Sequence, residues 1–220
     1  MTADEPLTAE EPRPADEPGP ADEPGPAGEP AADAVVPRKS HWVREWILLI
    51  VLTVGGTFIF RTYVVQSYRI PSGSMERTLH GCEPHCNNDR VLVDKLSYKL
   101  HAVHRHDLVV FKATGNWVAV VGGPDDVIKR VIGIPGDTVQ CCDAQGRVIL
   151  NGTSQVEPYV FEDNHDPFGP IVVPKGQLFV MGDHRSDSSD SRYNGTIPIS
   201  SVIGHAFIRV WPIPRIHTLH

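Results

Sequence analysis

Between Trp46 and Phe60 the chain reads WILLIVLTVGGTFIF, fifteen residues without a charge. A run this apolar has to leave water. It also separates two stretches of very different character. The run can extend past Arg61 through Tyr63, Val64 and Val65. Trp42 and Trp46 stand at one end and Tyr63 at the other, where amphipathic rings suit a membrane interface. The uninterrupted part is shorter than the ~20 residues that span a bilayer. Snorkelling of Arg44 and Arg61 closes that gap. A buried core helix or a cleavable leader are the alternatives; the reading adopted is a transmembrane helix over residues 42–65. Arg38, Lys39 and Arg44 cluster at its start. The N-terminus is therefore expected in the cytoplasm and everything after the helix outside it. No second apolar run follows, so a single pass is expected.

Before the helix, residues 1–41 form a low-complexity stretch. The hexapeptide ADEPGP occurs at Ala15–Pro20 and again at Ala21–Pro26, and nine of the twenty prolines lie in residues 1–37. Such a segment has no apolar surface to offset its ordering entropy, so a disordered cytoplasmic spacer is expected. It is acidic and lacks an apolar core, so it is not a signal peptide. Residues 1–37 hold ten acidic residues and one basic residue, Arg13. The formal net charge of −7 therefore describes this stretch. Nineteen basic and seventeen acidic residues remain, a body of about +2. That leaves no strong basic patch and excludes nucleic acid as the expected partner.

The cysteines are Cys82, Cys86, Cys141 and Cys142. An even number suits disulfides in an exported domain. Cys82 and Cys86 around His85 also fit half a zinc site, but no matching half follows. No metal is expected. A Cys82–Cys86 bridge would pin a short loop. A Cys141–Cys142 bridge would be a strained ring, which leaves cross-pairing or free thiols open.

After residue 65 the pattern is that of short strands. Val64–Ile70, Asp89–Lys95, Asp107–Lys112, Val127–Ile134, Arg147–Leu150, Gln177–Met181 and Val202–Val210 are rich in Val and Ile and bounded by Gly, Pro or Asp. No ten-residue stretch repeats with helical period. Strands without crossover helices exclude a parallel sheet and predict an antiparallel β-domain over residues 66–220.

Three patches in this domain carry chemistry. Tyr68-Arg69-Ile70-Pro71-Ser72-Gly73-Ser74-Met75 runs a strand into a tight turn bearing two hydroxyls. Alone, those serines are ordinary turn residues; at a rigid strand end, a hydroxyl also faces a cleft. In Val127–Asp137, alternation puts Val127, Lys129 and Val131 on one face and Ile128, Arg130 and Ile132 on the other. A lysine between two valines either snorkels to the surface or is desolvated. Desolvation would lower its pKa from the ordinary ~10.4, as a general base requires. The third patch, Met181–Tyr193, is dense in hydroxyls and charges. Asp190 and Arg192 are spaced to pair, and Ser188 can hydrogen-bond a buried amine. A Ser/His/Asp triad is the rival arrangement, with His184 and Asp183 or His106 and Asp107 as candidates.

In this order, after one membrane helix, the patches resemble those of bacterial type I signal peptidases, the Ser/Lys-dyad leader peptidases of peptidase family S26. Pro71–Met75 looks like that family's nucleophile box. Asp89–Lys95 resembles the following strand, and Lys129–Asp137 the lysine box. Gly182–Arg192 is similar to the last box. The resemblance covers about residues 42–212.

It implies Ser74 as nucleophile and Lys129 as general base. The Ser72 hydroxyl and the Ser74 N–H would form the oxyanion hole. Ser188 would orient the Lys129 amine, and Asp190 and Arg192 would form a supporting ion pair. The implied fold is a mainly β, antiparallel catalytic domain with a small β insertion, here about residues 140–173. The implied work is removal of signal peptides from exported preproteins at the plasma membrane, by a monomer without cofactor. Substrates would carry small residues at the first and third positions before the cut. Asp187 and His184 depart from the family, which often has Asn at these places, and Asp187 is expected to point outward. An inactive, membrane-tethered β-domain acting in envelope assembly or binding is the alternative. A soluble, self-cleaving Ser/Lys repressor-type protease is disfavoured by the membrane helix.

Overall fold

The computed structural model describes residues 41–82, 87–121, 126–163 and 165–219. The expected tail over residues 1–41 lies outside them except for its last residue, and so does Cys86. The first helix, α1, spans Trp42–Tyr63. Most of its residues, including Leu52 and Phe58, are exposed. The expectation of a bilayer-spanning helix needs a correction: among the described residues, no helix is long and apolar enough to cross a membrane. The physical reason is visible in α1. Arg44, Glu45 and Arg61 lie inside it and leave only fifteen charge-free residues.

Beyond α1 the chain is mainly β. The elements in order are β1 Val65–Arg69, β2 Arg90–Asp94, α2 Ser97–Leu100, β3 Leu108–Lys112, α3 Trp117–Val121, β4 Asp126–Gly133, β5 Thr138–Cys141, β6 Val148–Leu150, β7 Thr153–Ser154, β8 Phe168–Val172, β9 Gln177–Met181, α4 Ser191–Asn194, β10 Ile197–Pro198, β11 Val202–Trp211 and β12 His217–Thr218. They build two antiparallel sheets. The larger has the order β1-β2-β11-β3-β4-β9-β10, with β12 also paired to β11. The smaller has the order β7-β6-β5-β8.

All seven expected strands are present, with ends differing by one residue or so. β5, β8 and the two-residue strands β7, β10 and β12 were not anticipated. Residues 138–141 are too short to show a period, and β8 reads FGPIV, with two strand breakers. Proline is tolerated there because β8 is an edge strand, where a missing N–H costs no ladder bond. Cys141 and Cys142 are joined to each other, the pairing that the sequence reading had set beside cross-pairing and free thiols.

The core forms three clusters. One packs Ile70, Met75 and Leu79 on Val91, Val93 and Val110. A second gathers Val109, Phe111, Trp117, Val131 and Val180, with Val127 against it. The third lies under the small sheet and includes Ile132, Val139 and Phe179. Strand alternation along β4 decides which cluster each residue joins. Val127 and Val131 go to the second cluster, Ile128 to the first and Ile132 to the third. Lys129 pairs across the ladder with Val109, so its stem leaves the apolar face of the second cluster. Burying such surface contributes about 25 cal/mol per Å², which holds the strand that carries Lys129 in place.

Candidate active site

Three segments meet around Lys129, midway along β4. The first follows β1. Ile70 is buried, and its N–H donates to Asp89 O at 3.0 Å. The chain then turns at Pro71 into one 3₁₀ turn, Gly73–Met75. Met75 and Leu79 are fully buried and fix the far end of this turn. Gly81 lets the neighbouring strand pass close by. A methyl group there would lie 2.5 Å from Ser72 O and 2.6 Å from Ile70 O. Ser72 and Ser74 thus sit on a rigid turn, with their hydroxyl oxygens 3.4 Å apart. Ser74 lies in the first turn of the 3₁₀ segment, where N–H groups have no acceptor within the helix.

The second segment is β4 itself. Lys129 is 3% exposed. Its Nζ donates to Ser74 Oγ at 2.6 Å. Burial pushes the Lys129 amine down from its ordinary value of 10.5 to about 8. The negative charges of Asp190 and Asp183 oppose this, Arg192 adds to it, and Asp187 opposes it.

The third segment joins β9 to α4. Asp190 accepts from Arg192 Nε at 2.8 Å and from Arg192 Nη2 at 2.9 Å. Asp190 also accepts from the Gly182 N–H at 3.0 Å, and Arg192 donates to Arg185 O at 2.7 Å. The pair therefore fixes both ends of the loop. His184 ties this loop to the serine turn. Its N–H donates to Ser74 O at 3.1 Å, and its Nδ1 lies 3.2 Å from Gly73 O.

Ser188 does not make the contact expected of it. Its hydroxyl is buried and has no hydrogen-bond partner among the described residues, so the expected bond to Lys129 is not formed in this structure. Ser188 nevertheless lies beside Ser74. A methyl group on Gly182 would overlap Ser188 Oγ and sit 2.5 Å from Ser74 O. Only a residue without Cβ admits both. Gly182→Ala is therefore expected to cost about 1–3 kcal/mol in a urea melt, as overpacking does. It should also displace Ser74 and lower kcat at least tenfold.

Neither triad candidate assembles. His106 Nδ1 bonds to Tyr159 OH, and His184 reaches Gly73 O and Glu162. Asp183 instead pairs with Arg130. Its carboxylate takes Arg130 Nε at 2.9 Å and Nη2 at 2.7 Å, and Thr78 Oγ1 at 2.6 Å. Asp187 is exposed, but it does not point away from the site as expected: it lines the cleft described next, and its charge opposes the fall in the Lys129 pKa.

These residues border a cleft of about 910 Å³. Ser72, Ser74 and Lys129 lie in its wall. One side is lined by Tyr68, Arg69 and Ile70, in and just after β1, an edge strand of the larger sheet. The other side carries Val127 and Ile128 of β4. An amine poised on a hydroxyl, beside an open groove and a strand edge, can do nucleophilic chemistry on an extended peptide.

The chain matches the family model of signal peptidase, peptidase S26, over residues 43–211. It is 36% identical to a probable signal peptidase I of Mycobacterium leprae, over 84% of this chain and 83% of that protein. It is 37% identical to a probable signal peptidase I-2 of Synechocystis, over 83% of this chain and 79% of that protein. A signal peptidase I of Mycobacterium tuberculosis is 36% identical, over 81% and 76%. With more than half its length inside the family match and relatives this similar along most of their own length, the chain belongs to the signal peptidase family, peptidase S26.

Proposed function

We propose that the protein is a signal peptidase I, a serine endopeptidase that removes N-terminal signal peptides from exported preproteins. Family membership supports the reaction, and the 2.6 Å contact between Lys129 Nζ and Ser74 Oγ is the observation that carries the mechanism. Neutral Lys129 takes the proton of Ser74, and Ser74 Oγ attacks the scissile carbonyl. The Ser72 hydroxyl and the Ser74 N–H hold the oxyanion. Each such donor is typically worth ~10²–10³ in rate. Protonated Lys129 then gives its proton to the leaving amine. A water deprotonated by the same lysine releases the acyl-enzyme. Ser188, a buried hydroxyl next to Ser74, is the acceptor that keeps the amine aligned as it charges. Asp190 and Arg192 hold the loop that carries it. No cofactor enters this chemistry.

Residues 66–220 form the catalytic domain in this reading, with the small sheet as its insertion. The helix α1 associates it with the plasma membrane in this reading. Its apolar side chains are exposed, and the Thr53 and Thr57 hydroxyls are satisfied by carbonyls one turn back at 2.7 Å. A monomer suffices, with the lipid surface concentrating enzyme and substrate.

The test is cleavage of a leader-bearing preprotein in detergent, with the new N-terminus sequenced. The wild type should cut after a small residue and Ser74→Ala should not. A folded wild type that cuts nothing would support a tethered binding domain instead.

A further inference from the structure

Four charged residues line the cleft: Arg69, Asp126, Lys129 and Asp187. Their neighbours in the fold treat them differently. The two other carboxylates of the loop after β9 are neutralised, Asp183 by Arg130 and Asp190 by Arg192. Asp187 has no cation within ion-pair distance and no hydrogen bond to its carboxylate among the described residues. Only its backbone N–H is engaged, with His184 O at 3.1 Å. Its side chain is exposed to the cleft and stands against the serine turn. A methyl group on Gly73 would lie 3.7 Å from Asp187 Oδ2. An unpaired carboxylate thus sits one residue from the nucleophile.

The mechanism uses Lys129 as a neutral amine. In that form the cleft holds two carboxylates against the single cation Arg69, a net negative wall. Asp126 lies three residues before Lys129 along β4, roughly 10 Å away. Arg69 lies at the end of β1, before the turn. Asp187 is therefore the charge that a bound peptide meets beside the reacting carbonyl. Seating the peptide expels water from the groove, which strengthens that interaction.

We propose that Asp187 is a specificity-determining residue that makes the cleft favour preproteins carrying Lys or Arg close to the scissile bond over those carrying Asp or Glu. This rests on the signal peptidase reading above. Asp187 touches neither Lys129 Nζ nor Ser74 Oγ; its charge also bears on the Lys129 amine, so selection is read from the ratio of rates between substrate forms within each variant.

The test is a scan of one preprotein, with Lys, Gln or Glu placed singly at each position from the third before the cut to the third after it. Values of kcat/KM are measured in detergent at low salt for the wild type, Asp187→Asn and Asp187→Lys. At one or more positions the wild type should cut the Lys form about five- to tenfold faster than the Glu form. Asp187→Asn should bring the two within about twofold, Asp187→Lys should reverse their order, and ~0.5 M salt should compress the wild-type difference. Equal rates for Lys and Glu forms at every position would overturn the proposal while leaving the peptidase reading intact. So would an unchanged preference in both variants. Failure of the wild type to cut even the Gln forms would overturn the peptidase reading, and the proposal with it.

Discussion

Lys129→Met is expected to be inactive and, at neutral pH, more stable than the wild type. The loss of activity follows from removing the base. A Ser hydroxyl without one is a poor nucleophile, and dismantling such a unit typically costs ~10⁴–10⁶ in kcat. The gain in stability follows from burial. The Lys129 amine is lowered from 10.5 to about 8, chiefly by desolvation. Folding therefore disfavours its charged form by about 3 kcal/mol. A group whose folded pKa is depressed in this direction binds fewer protons folded than unfolded between pH ~8 and 10.5. Stability must then rise with pH across that window. Below pH 8 the wild type carries the full cost, and above 10.5 it carries none. Methionine fills similar volume without charge, so the variant should gain roughly 2 kcal/mol at pH 7 after loss of the Ser74 contact. That gain should vanish near pH 10.5. Paired urea melts at the two pH values check this. Equal stability at pH 7 would mean that the amine is not under strain.

The second large effect concerns Asp183. Arg130 and Asp183 are each about 1% exposed and joined by two hydrogen bonds. Arg130 also donates to His106 O at 2.8 Å and lies over the Tyr159 ring at 4.0 Å. Asp183→Ala leaves this guanidinium buried without its counter-charge. Such half-pairs cost about 3–5 kcal/mol, a large share of a domain's net stability. The urea midpoint should fall accordingly. The double variant Arg130→Met/Asp183→Leu removes both charges and should recover most of the loss, because isolating one charge is the main penalty. A loss below about 1 kcal/mol for Asp183→Ala would show that water or another anion reaches Arg130.

The β-architecture was readable because each strand is short, branched and punctuated. Alternation alone separates Val127 and Val131 from Ile128 and Ile132, and so places Lys129 on an apolar face. That Lys129 meets Ser74 was not readable from spacing. The two are 55 residues apart, and only the resemblance joined their patches. The Arg130–Asp183 and Arg185–Glu157 pairs were not seen, since a charge in a sequence carries no mark of its partner. His184 was considered as a triad member and as a departure from the family's usual Asn, whereas it fastens the serine turn through its N–H and its ring Nδ1 to the carbonyls of Ser74 and Gly73. The strands that were not anticipated, β5, β7, β8, β10 and β12, are short or, in β8, broken by Gly and Pro, so their pairing comes from tertiary contacts rather than from pattern.

Titration of Lys129 tests the central claim most directly. With lysine side chains labelled at Cε, the Lys129 signal is assigned by comparison with Lys129→Met and followed by NMR from pH 5 to 11. The account requires a midpoint near 8, and a pH dependence of kcat/KM that rises to a plateau around the same value. A midpoint near the ordinary 10.5 would contradict it, because fewer than about one amine in 10³ would then be neutral at pH 7 to take the proton from Ser74, against about one in ten with a midpoint near 8.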